Sequence, residues 1–114
     1  LKGLAHSLSG RVYEATSEQR TYLHMAAVFA CNFANHMYAL SAYLLEKNGL
    51  PFDAMLPVID ETARKVHELS PKEGQTGPAV RRDTNVMNKH LEMLADEPEL
   101  RELYKNISES IQKL

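Results

Sequence analysis

The chain has 114 residues, enough for one domain, with 44% hydrophobic and 25% charged residues and a formal net charge of −2, the balance of an ordinary globular domain. There is no basic excess to hold a phosphate backbone, so nucleic acid is not an expected partner, and no apolar stretch reaches the roughly 18 residues of a membrane span. The single cysteine, Cys31, excludes an internal disulfide and multi-cysteine zinc sites, and the five histidines form no i,i+4 pair, so no metal site is expected and a cytoplasmic setting fits.

Residues 1–9 carry apolar side chains at helical spacing and read as the tail of a helix that ends at Gly10. Arg11–Ala15, with Val12 and Tyr13, reads as a short strand. A lone strand cannot satisfy its own backbone, so it is expected to pair with something outside this chain, to pair with its copy in another chain, or to lose strand structure. Thr16 and Ser17 are N-cap candidates for a helix that runs to Lys47 or Asn48, with apolar positions at 22, 26, 29, 33, 37, 40 and 44 forming one stripe. Asn48, Gly49 and Pro51 close it.

A second helix is expected from about Phe52 to Leu69, with Pro57 in its N-terminal turn, followed by a Gly- and Pro-rich loop over 70–78. Asp83 caps a third helix over 84–94, with Val86, Met87, His90, Leu91 and Leu94 inward. Asp96 is expected to cap a fourth, with Pro98 in its first turn and a seam at 100, 104, 107, 111 and 114. The methionines and Cys31 read as core residues. Glu61/Lys65 and Glu109/Lys113 read as exposed i,i+4 pairs. The fold class is all-α, a helical bundle around one long central helix.

Two features exceed what folding needs. His24, Asn32, Asn35 and His36 lie among Ala, Val and Phe on the long helix. Burying an amide without a partner costs on the order of 1–3 kcal/mol, so this strip either faces a ligand cleft or is satisfied inside a core or interface. Eleven residues separate His24 and Asn35, about three turns, which places them on one face. The second feature is Thr76-Gly-Pro-Ala-Val-Arg-Arg-Asp. It is either a loop offering Thr76 and Arg82 to an anionic ligand or a plain lead into the helix that Asp83 caps.

Taken in order, His24-Met-Ala-Ala-Val-Phe-Ala-Cys-Asn-Phe-Ala-Asn-His, Gly49-Leu-Pro-Phe-Asp, Thr76-Gly-Pro-Ala-Val-Arg-Arg-Asp and His90-Leu resemble the C-terminal helical domain of Rossmann-type oxidoreductases known as a domain of unknown function, DUF2520. The resemblance runs from about residue 10 to 95. It implies a fold similar to the C-terminal domain of 6-phosphogluconate dehydrogenase. It also implies a two-domain protein whose N-terminal Rossmann domain binds NADP or NAD, with residues 1–15 a remnant of that domain and 16–114 the substrate and dimerisation domain. No Gly-x-Gly-x-x-Gly occurs, so no cofactor-binding residue is assigned, no cofactor is expected on this chain alone, and the chain is not expected to turn over by itself.

Under this resemblance Asn32, His36 and His24 become catalytic candidates, and Asn35, Thr76, Arg82 and Asp83 become substrate-binding candidates. Position 82 is usually small in the family, and Arg82 departs from that. The expected partners are the protein's own Rossmann domain, a second copy in a homodimer and a small-molecule substrate. The competing reading is a non-catalytic helical homodimerisation module.

Overall fold

The computed structural model describes residues 16–114. The expected helix tail 1–9 and strand 11–15 lie outside the described residues. Within them the fold is all-α, without a strand, and they divide into two compact units between Met55 and Leu56.

The first unit is dominated by one uninterrupted helical rod. Helix α1 spans Ser17–Ala27, a π-helical segment spans Val28–Phe33, and helix α2 spans Ala34–Lys47. Thr16 caps the start reciprocally. Its hydroxyl accepts from the Gln19 amide at 3.1 Å, and its own amide donates to the Gln19 side chain at 2.9 Å. The end is a Schellman closure. The Leu50 amide reaches the Leu45 carbonyl at 2.9 Å and the Gly49 amide reaches Glu46 at 3.1 Å. Gly49 takes the left-handed φ of 73° that this closure requires. A 3-10 turn, Phe52–Met55, then folds back on α2.

The second unit holds α3 (Leu56–Lys65), α4 (Pro78–Arg81), α5 (Thr84–Met93) and α6 (Pro98–Lys113). Helix α3 stops four residues before the expected Leu69. The His67, Glu68 and Leu69 amides bond back to Arg64 and Lys65 in tight turns instead, and the chain reverses into the 70–76 loop. The stretch expected to be loop contains α4. Pro78 supplies its first turn, where a missing N–H costs nothing.

Ala79 on α4 and Ser108 on α6 are both buried, and two small side chains let α4 approach α6 closely. The Gln112 side-chain amide donates to the Ala79 carbonyl at 3.1 Å and fixes that approach. Helix α5 is tied to α6 by Arg101, which donates to the Leu91 carbonyl at 3.2 Å. His90 and Tyr104 add a 2.8 Å hydrogen bond with rings nearly perpendicular.

Several expectations change. Glu97, not Asp96, is the N-cap of α6, because the Leu94–Asp96 turn takes up one more residue before Pro98. On the α6 seam Ile107 and Leu114 are exposed, and Ser108 takes the buried place instead. Cys31 is exposed, and so are Met25 and Met93, so these do not act as core. Their helices present those faces to solvent, and the only hydrophobic residues buried among those described are Ala79 and Leu94.

Candidate functional site

The polar strip of the first unit is carried on three stretches of one rod. His24 lies on α1, Asn32 in the π segment, and Asn35 and His36 in the first turn of α2. All four are exposed, and among the described residues none of their side chains makes a hydrogen bond. A core network that satisfies these groups internally is therefore not what the described residues form.

The π segment alters their register. Its i→i+5 ladder accommodates about one extra residue, which turns everything beyond it back by roughly 100° relative to an unbroken α-helix. The expectation that His24 and Asn35 share a face fails for this reason, since they end up roughly 80° apart. His36 moves into line instead, within roughly 20° of His24. Phe29 and Phe33 pack edge to face across the widened turn, with centroids 5.0 Å apart. The sequence carries a faint signal of this: the stripe positions 29, 33 and 37 are spaced by two consecutive fours over this stretch. An unbroken 3.6-residue helix tolerates that spacing too, so it does not identify a π turn by itself.

The second unit carries Thr76, Arg82 and Asp83. Asp83 is half-buried, and its carboxylate accepts from the Val86 amide at 3.3 Å, so it serves as the N-cap of α5. Arg82 is the C-cap residue of α4 with φ 55°, a left-handed conformation. Its guanidinium reaches only the Gln112 carbonyl, at 3.5 Å. Thr76 is exposed and lines an open cleft of about 180 Å³ between α3 and the 70–76 loop.

Lys65 lines the same cleft. Of the expected Glu61/Lys65 pair a longer-range attraction remains, while the close contacts belong to Arg64, whose forked guanidinium grips Glu61 at 2.6 and 3.0 Å and Glu68 at 2.5 Å. That pairing holds the Glu61 carboxyl below its ordinary range and pushes the Arg64 guanidinium up. Both partners are exposed, so the pair contributes little to stability. Lys65 turns instead to the Gly74 carbonyl at 3.3 Å. Elsewhere in this unit, burial pushes the Tyr104 phenol up. Among the described residues no group of His, Cys, Asp and Glu is placed to hold a metal ion, and no helix is long and apolar enough to cross a membrane.

Comparison with known proteins adds two findings. The family model described as "Domain of unknown function (DUF2520)" matches residues 1–111. A solved structure, that of the "putative NADP oxidoreductase BF3122 from Bacteroides fragilis", is similar at 65% identity with a TM-score of 0.86. The match covers 90% of this chain and 39% of that one. No curated protein matches the chain.

Proposed function

The chain belongs to the DUF2520 family, and from that membership we propose that it is the substrate-binding and dimerisation domain of an NADP-dependent oxidoreductase. The observation that carries this reading is the 65% identity to a protein described as a "putative NADP oxidoreductase", of whose length this chain spans 39%. On this reading the dinucleotide is bound by a separate domain. The five glycines here form no Gly-x-Gly-x-x-Gly sequence, and among the described residues the two with left-handed φ, Gly49 and Gly77, close a helix and precede a four-residue one. Neither makes a cradle for a pyrophosphate.

When bound, the nicotinamide supplies hydride transfer. The residues of this chain have other work. Asn32 projects from the π turn and orients a substrate carbonyl or hydroxyl through its amide. His36 or His24 exchanges the proton that accompanies hydride transfer at that oxygen. Asn35 adds a lateral polar contact beside them on the same rod, and Asp83, in the second unit, fixes the start of α5.

Thermal-shift titration of the longer polypeptide, carrying the dinucleotide domain, tests this. NADP should raise its Tm, and Asn32→Ala should lower kcat while leaving the NADP shift intact. A longer polypeptide whose Tm responds to neither NADP nor NAD would sink the reading. The exposed row Tyr22, Met25, Phe29 and Phe33 favours a second reading, a homodimerisation module without catalysis, which that negative result would support.

A further inference from the structure

The α3–loop cleft has a charge arrangement that neither the fold nor the oxidoreductase reading requires. Arg64 captures both acidic neighbours on its side of the chain, Glu61 and Glu68. Lys65 makes no close ion pair among the described residues, although Glu61 one turn away still attracts it, and it is half-buried beside the cleft. An ammonium has three donors, and the Gly74 carbonyl takes one of them at 3.3 Å. The side-chain stem passes beside Gly74, where an added methyl would lie 3.8 Å from Lys65 Cε.

No acidic side chain lines the cleft. Ser70 commits its hydroxyl proton to Glu73 at 2.8 Å, and Gln75 turns its amide to the Thr76 carbonyl at 3.0 Å. The Thr76 hydroxyl makes no hydrogen bond among the described residues, so it is the second free donor. The remaining wall is apolar: Val66, Leu69 and Pro71.

We propose that this cleft binds a small monocarboxylate, with its carboxylate on Lys65 Nζ and Thr76 Oγ1 and its short alkyl body against Val66, Leu69 and Pro71. The volume of about 180 Å³ suits a ligand of this size, since a cavity of about 150 Å³ accepts benzene. Two donors and an apolar wall match a carboxylate with a hydrocarbon tail. A phosphate dianion calls for a fuller set of N–H donors and gains nothing from the wall. The assignment stands independently of the oxidoreductase reading, because it rests on the second unit alone.

Titration of the ¹⁵N-labelled protein with sodium butyrate, followed by amide chemical shifts, tests the assignment. Saturable shifts are expected over residues 62–76. Lys65→Met should weaken binding about tenfold, the loss of one charge-assisted hydrogen bond. Butyramide should leave the spectrum unmoved at equal concentration. Inorganic phosphate binding more tightly than butyrate would overturn the carboxylate assignment. Equal shifts with butyramide, unchanged affinity in Lys65→Met or no saturable shift with butyrate would each overturn the site. Should Lys65→Met lose its dispersed spectrum, Thr76→Val takes its place. A severalfold weaker butyrate affinity supports the proposal there, and an unchanged one overturns it.

Discussion

Arg82 occupies a backbone conformation that favours glycine, at φ 55°. A non-glycine residue there costs roughly 1–2 kcal/mol. Against this stands only a 3.5 Å contact from its guanidinium to the Gln112 carbonyl. Arg82→Gly is therefore expected to stabilise the protein by about 1 kcal/mol, a gain readable as a higher urea midpoint with an unchanged m-value. The left-handed backbone at this position carries a strain for Arg82 that glycine would not have. Asp83, next to it, shows how a functional candidate can be a structural one. Its type and its place before an apolar run were legible as a cap, and the cap is what the carboxylate makes.

Among elements, the helices whose ends carry their own chemistry were the legible ones. Thr16 with Gln19, Gly49 before Pro51 and Asp83 before Val86 mark boundaries through local hydrogen bonds that depend on neighbours in sequence. The elements that were not legible depend on something further away. Helix α4 has four residues and packs against α6, where the Gln112 amide holds the Ala79 carbonyl. No periodicity extends over so short a segment. The π segment hides because one added residue barely disturbs a stripe already spaced by threes and fours, although it redirects His36 toward the His24 face. The i,i+4 spacing of Glu61 and Lys65 gives only a longer-range attraction, because the Arg64 fork takes the close contact with Glu61. The small-residue approach gives the prediction at this scale. Ala79→Leu, at 5% exposure, should overpack the α4–α6 contact and cost about 1–3 kcal/mol, seen as a lower Tm.

At the scale of the whole molecule, apolar side chains outside contrast with few inside. Tyr22, Met25, Phe29 and Phe33 follow one another along α1 and the π segment, each at least 48% exposed. A row of that kind is expected to associate. Sedimentation equilibrium should show a concentration-dependent dimer, and Phe29→Glu should weaken it at least about tenfold by placing a charge at the apolar row. A strictly monomeric wild-type protein at high concentration would count against this.

The scarcity of buried hydrophobic residues also has a calorimetric meaning. Heat capacity rises on unfolding because apolar groups become hydrated, ordinarily by about 12–15 cal/mol/K per residue. Among the described residues only Ala79 and Leu94 are hydrophobic and buried. Dilute protein should therefore unfold with an increment well under that value and a flat stability curve. Raising the concentration until copies pair should restore part of the missing heat capacity. On that expectation, much of the hydration change that other domains undergo on folding would accompany association instead.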